Sequence, residues 1–246
     1  MPDAAFLAVI CGVFFLGGFV KGVIGLGLPT VVMGLLSIAM PLAQAAAIIV
    51  IPAVATNIWQ MLAGPALLSL AKRFALMMLG VVIGTFATVG LLAQSTAVAA
   101  AALGAVLAAY GLFGFVPARL EIGPRAERWL SPVVGLVNGG ISGATGVFVI
   151  PSVPYLNSLR LGKEELIQAI GIHAFVCPLA IGCALALKGQ FHAGLAASSI
   201  VALLPALAGM YAGQRVRGRL RPEIFRRCFF VGLIALGGYM VVRSVT

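Results

Sequence analysis

Eight long apolar stretches constrain this chain more than anything else in it. They run at about 4–36, 43–63, 74–93, 96–117, 130–157, 165–187, 191–213 and 225–243. Most are close to the ~20 residues that a tilted helix needs to cross a bilayer. Of the 246 residues, 62% are hydrophobic and only 9% are charged; soluble domains carry about 25% charged residues. A soluble fold of this size could not hide that much apolar surface, so lipid is its natural solvent. The 31 glycines and 13 prolines fit the same reading, because small residues let membrane helices approach closely.

Lys and Arg number 16 against 6 Asp and Glu, for a formal charge of +10. The basic residues fall between apolar runs, where they set membrane orientation, and no nucleic-acid partner is expected. Arg215, Arg217, Arg219, Arg221, Arg226 and Arg227 form a cluster suited to anionic lipid headgroups. Cys11, Cys177, Cys183 and Cys228 lie in or beside apolar segments without CxxC spacing. They read as buried small hydrophobes, with no metal site, cofactor or disulfide framework. The start, Met1-Pro2-Asp3, lacks the basic region of a cleaved signal peptide.

The first and fifth stretches are long, and each is interrupted by closely spaced glycines with a proline beyond. Gly18, Gly22 and Gly25 recur as Gly139, Gly143 and Gly146, 121 positions on; Gly80, Gly84 and Tyr110 recur as Gly209, Gly213 and Tyr239, 129 positions on. Ordered matches across both halves indicate an internal repeat. The division is 1–117, a cytoplasmic link at 118–129 that includes Arg119, Arg125 and Arg128, and 130–246. If the first and fifth stretches each enter and return at their glycines, the major basic loops all face the cytoplasm. Lys188 and Arg243 are then the exceptions. The expected fold is an all-α integral membrane protein of two inverted-topology repeats of about four apolar segments each. The first segment of each repeat is broken or re-entrant at a Gly-rich motif. Eight simple spans remain the alternative.

Inverted repeats with broken helices place substrate sites at mid-membrane. The first motif is Phe19-Val20-Lys21-Gly22-Val23-Ile24-Gly25-Leu26-Gly27-Leu28-Pro29. Glycine lets the backbone turn, and proline suits a new helix start. Amides freed there carry partial positive charge and favour an anion, beside the full charge of Lys21. Otherwise Lys21 snorkels to an interface and Gly22, Gly25 and Gly27 only pack. The second motif is Asn138-Gly139-Gly140-Ile141-Ser142-Gly143-Ala144-Thr145-Gly146, with Ser142 in the place of Lys21. Asn138, Ser142 and Thr145 are candidate donors to ligand oxygens; the alternative is helix–helix hydrogen bonding. Asn57, next to Thr56, and His173 are polar within apolar runs. His173 is a candidate for carrying a proton, against a neutral ring bonded to a carbonyl.

All six acidic residues, Asp3, Glu121, Glu127, Glu164, Glu165 and Glu223, lie outside the apolar cores or at their ends. No buried carboxylate is expected, which disfavours a cation transporter. No carboxylate pair, HExxH or GxSxG is present for an intramembrane hydrolase, so an enzyme is not expected. The remaining intramembrane polarity favours an anion.

At Gly18-Phe19-Val20-Lys21-Gly22-Val23-Ile24-Gly25-Leu26-Gly27, Gly139-Gly140-Ile141-Ser142-Gly143-Ala144-Thr145-Gly146 and Val153-Pro154-Tyr155-Leu156, the chain resembles the sulfite exporter TauE/SafE family, or TSUP. The resemblance spans nearly the whole chain. It implies a multi-pass permease of the bacterial inner membrane for sulfite, thiosulfate or an organosulfonate, with export the expected direction. The residues themselves leave three readings open: a secondary transporter, a passive anion channel, and a membrane-embedded binding or assembly subunit. The expected partners are a small anion and the lipid bilayer, with a homodimer left open.

Overall fold

The computed structural model describes residues 4–62, 64–94, 96–116 and 121–245. Asp3, and Arg119 in the link, lie outside the described residues. Among the described residues the chain is helical, with no strand: α1 (Ala4–Ile24), α2 (Leu28–Leu36), α3 (Leu42–Leu62), α4 (Leu67–Arg73), α5 (Ala75–Gln94), α6 (Ala97–Phe113), α7 (Pro124–Thr145), α8 (Ser152–Ser158), α9 (Lys163–Leu187), α10 (Ala193–Arg217) and α11 (Pro222–Val245). Six of them, α1, α3, α5, α9, α10 and α11, contain windows long and apolar enough to span a bilayer. Their outer faces carry large apolar side chains such as Leu76, Leu79 and Ile83 on α5 and Ile200, Val201 and Leu204 on α10, all exposed. An apolar patch of that extent is a liability in water and the required surface in lipid.

The apolar stretch at 4–36 contains two helices. Helix α1 ends at Ile24, where Gly25 N donates to Lys21 O at 2.7 Å. Gly25 (φ 90°) and Gly27 (φ 111°) then turn the chain through left-handed backbone, which glycine adopts without a Cβ clash. Helix α2 follows at once, with Pro29 in its first turn, where a missing N–H costs nothing. A similar turn follows α7. Gly146 (φ 74°) closes α7, its N–H donating to Ser142 O at 2.8 Å, and α8 starts at Ser152 after Pro151.

Two differences from the sequence reading concern polar groups. Helix α7 begins at Pro124, inside the stretch 118–129 assigned to the link, because Pro124 opens it and Glu127 lies in its first turn. That carboxylate is also a correction to the expectation that none is buried. Glu127 is 9% exposed and accepts from Arg73 Nε (2.6 Å) and Nη2 (2.8 Å). A bidentate guanidinium meets both oxygens, so burial is tolerated and no cation is needed. The Glu127 bond, opposed in part by burial, holds the Arg73 guanidinium above its ordinary range. The cysteines need correcting too. Only Cys177 is buried, Cys11 is half-buried, and Cys183 and Cys228 lie exposed on helix faces, where a small apolar thiol is equally at home against lipid.

Packing pairs α1 with α10 and α7 with α5. Helix α1 runs parallel to α10: a Cβ at Gly18 would sit 2.1 Å from Ala206 O, and one at Gly22 would sit 2.3 Å from Met210 O. Helix α7 runs parallel to α5, with Gly135 against Met77 O, Gly139 against Val81 O and Gly143 against Thr85 O, at 2.0, 2.2 and 2.5 Å. Helices α6 and α11 are antiparallel, Gly104 meeting Gly237 and Gly111 meeting Phe230. Helices α3 and α9 are also antiparallel, Gly171 lying on Met61 and Gly182 on Val50.

Candidate functional site

Two prolines open the interior of the α3–α9 pair. Pro52 in α3 and Pro178 in α9 lack an N–H, so each frees the carbonyl four residues back. A carbonyl freed in an apolar interior needs a donor. Ser199 Oγ donates to Ile48 O at 2.6 Å, opposite Pro52. Asn57 Nδ2 donates to Ala174 O at 2.8 Å, opposite Pro178.

That second bond fixes which way the Asn57 amide faces. With Nδ2 committed to Ala174 O, Oδ1 turns to Lys21, whose Nζ donates to it and to Thr56 Oγ1 at 3.0 Å. Thr56 in turn donates to Pro52 O at 2.7 Å. Lys21 is 6% exposed and does not run to an interface. Its partners are neutral oxygens, and among the described residues no carboxylate forms an ion pair with it; the two ion pairs there are Arg73–Glu127 and Arg160–Glu121.

A second cluster lies one residue from Ala174. His173 Nε2 is 2.9 Å from Asn138 Oδ1. Asn138 Nδ2 donates to Phe148 O (2.9 Å) and Ile150 O (2.8 Å), so its Oδ1 is the acceptor and His173 carries its proton on Nε2. Cys177 Sγ lies 3.3 Å from the same nitrogen, and the Phe148 ring meets the imidazole edge-on at 6.2 Å. Asn138 thus clamps the stretch between Gly146 and α8 to α9.

Lys21, Asn57, His173 and Asn138 therefore form two buried polar groups joined through the backbone of α9, drawn from α1, α3, α9 and α7. Ser142 and Thr145 stand apart from them. Ser142 Oγ bonds Gly139 O (3.0 Å) and Thr85 Oγ1 (3.2 Å), toward α5. Thr145 Oγ1 donates to Ile141 O (2.7 Å) and accepts from Val147 N (3.3 Å). Gly22 and Gly143 lie against the backbones of α10 and α5. A Cβ added at Gly25 would meet nothing within 4 Å, Gly27 lies beside Val20 and Phe229, and Gly146 lies beside Met33.

Sequence reading passed over several polar residues of this interior. Gln168 is buried and joins the α3–α4 turn to α9, donating to Met61 O (2.8 Å) and Gly64 O (2.7 Å) and accepting from Ala66 N (2.9 Å). Ser199, Thr30 and Ser152 are fully buried. For Ser199 the signal was Pro52, which announces a carbonyl in need of a donor without saying which helix supplies it.

Spans sheathed in apolar side chains around a buried lysine and histidine define a polytopic membrane protein. The family comparison agrees: residues 10–240 match Sulfite exporter TauE/SafE, and the chain belongs to that family. No curated protein and no solved structure matches it significantly.

Proposed function

We propose that the chain exports a small sulfur-containing anion, such as sulfite, thiosulfate or an organosulfonate, across the bacterial inner membrane by alternating access between two inverted repeats. One observation carries the anion: the Lys21 side-chain nitrogen is buried with neutral partners only. A buried cation without a countercharge is costly, and a bound anion supplies the missing charge. Asn57 holds the ammonium in place, and the turns at Gly25, Gly27 and Gly146 supply open backbone. Gly22 and Gly143 allow the close helix contacts beside those turns, while Ser142 and Thr145 brace the second one. Asn138 orients His173, whose ring links transport to protons.

Helix directions support the inverted repeat. The repeat counterparts that touch, α3 with α9 and α6 with α11, run antiparallel, and each broken helix packs on the other half. Because α6 and α11 are antiparallel, the α5–α6 and α10–α11 turns lie at opposite ends of that pair. Reporters fused after Thr96 and after Arg221 are expected on opposite faces of the membrane; both on one face would exclude the inversion.

The activity is tested with full-length protein in liposomes carrying sulfite, thiosulfate or sulfoacetate. Saturable flux that responds to an imposed pH gradient is expected, and His173→Ala should keep downhill flux while losing the gradient response. Absence of saturable flux for all three anions would sink the proposal.

A further inference from the structure

We infer that Thr30 and Ser152 form a matched pair of hydroxyl donors to the transported anion, one from each half. The inference rests on the transport reading above and adds two residues to its site.

Among the described residues, the buried side-chain nitrogens and oxygens without a hydrogen-bond partner are Thr30 Oγ1 and Ser152 Oγ. Both side chains are 0% exposed. They also occupy equivalent places. Each directly follows a proline, Pro29 or Pro151, and lies in the first turn of the helix after a left-handed glycine. Buried polar groups are nearly always paired, and an unpaired one calls for an explanation, an absent ligand among them.

A helical hydroxyl ordinarily falls back on the carbonyl three or four residues earlier. Thr56, Thr88 and Thr145 all do so here, at 2.7, 3.1 and 2.7 Å. At Ser152 the hydroxyl takes neither choice: Phe148 O accepts from Asn138 Nδ2 (2.9 Å) and Val149 O from Val153 N (2.9 Å). At Thr30, Gly27 O accepts from Val31 N (2.9 Å), and Leu26 lies in the turn between the two positive-φ glycines. Neither hydroxyl after the breaks makes the local bond that the other helical threonines make.

Both residues lie on segments held to the candidate site. Ser152 is two residues beyond Ile150, whose carbonyl Asn138 holds at 2.8 Å. Met33, one turn beyond Thr30, packs on Gly146 at the other end of the same stretch, where an added Cβ would be 2.8 Å from its Cε. In α2 the amides of Leu28 and Thr30 precede the Val31–Gly27 bond at the helix start, where partial positive charge collects. The matching ligand chemistry is an SO3-type head, with several acceptor oxygens for donors from two sides. A grip shared between halves also loosens when they separate, as alternating access requires.

The test uses full-length Thr30→Val and Ser152→Ala, with Lys21→Met and Thr30→Ser alongside. Sulfite is the probe, read by thermal shift in detergent and by KM for flux in liposomes. Each hydroxyl deletion is expected to raise KM about tenfold and shrink the sulfite-induced shift, as loss of a ligand hydrogen bond does. Thermal stability without ligand should be unchanged or higher, since an unpaired buried hydroxyl has gone; Thr30→Ser should behave like the parent. Unchanged KM and shift in both deletions, with Lys21→Met impaired, would overturn the inference and leave the transport reading standing. So would lower ligand-free stability with an unaltered sulfite response, the mark of hydroxyls that only hold buried water. A parent protein that shows saturable flux of neither sulfite, thiosulfate nor sulfoacetate overturns both.

Discussion

Lys21→Met is expected to reduce sulfite transport at subsaturating concentration by about 100-fold while leaving the protein folded. Truncating one member of a buried charge pair costs ~3 kcal/mol of binding, which is about 100-fold at room temperature. The folded state responds differently. Lys21 Nζ donates to Thr56 Oγ1 and Asn57 Oδ1, so its removal leaves an amide oxygen short of a donor, a penalty of about 1–3 kcal/mol. Relief from burying an ammonium without a carboxylate partner opposes that penalty, and exchanging buried charge for apolar volume is often neutral. The measurements are concentration-dependent flux in liposomes and thermal unfolding of the same preparations. Equal KM and maximal flux in parent and variant would remove Lys21 from the site.

The second large effect belongs to the helix contacts. Gly139→Ala and Gly209→Ala should each destabilise the protein by about 3 kcal/mol. A Cβ at Gly139 would lie 2.2 Å from Val81 O, and one at Gly209 would lie 2.0 Å from Phe15 O. Both obstacles are backbone, so no side chain can rotate away and the two helices must part along their length. Gly12, Gly90 and Gly232 serve as controls, because nothing lies within 4 Å of a Cβ there. Alanine at those positions should be neutral or stabilising by up to about 1 kcal/mol, the difference in helix propensity. Yield of monodisperse protein and its thermal midpoint distinguish the groups. Equal stability across all five variants would contradict the close α1–α10 and α5–α7 contacts.

The second expectation also sharpens what the glycine repeat means. In sequence, Gly18 and Gly22 matching Gly139 and Gly143 looked like one feature together with Gly25 and Gly146. In three dimensions they separate by backbone conformation. Gly25, Gly27 and Gly146 have positive φ and turn the chain, whereas Gly18, Gly22, Gly139 and Gly143 are helical and let another helix approach. Spacing alone could not divide them, because glycine serves both purposes.

Much of the architecture was legible because lipid imposes it. Long apolar stretches, few charges and basic connections follow from the cost of exposing backbone and charge to hydrocarbon, and they are written locally along the chain. Helices α1 and α7 end where the chain turns through left-handed glycines. The polar interior was legible only as a list of residues. Asn57, Asn138, Lys21 and His173 could be named, but their connection depends on Pro178 freeing the Ala174 carbonyl to a helix more than a hundred residues away in sequence. The start of α7 at Pro124 was missed because Glu127 looked like link polarity until Arg73, from another element, neutralised it. Thr30 and Ser152 drew no notice, since a hydroxyl in an apolar run ordinarily bonds its own helix. The sequence by itself determined the solvent this protein folds in and where its chain can turn. Only the tertiary structure decided which buried polar groups meet, because hydrogen-bond partners in a helical bundle are chosen across helix faces that sequence distance does not encode.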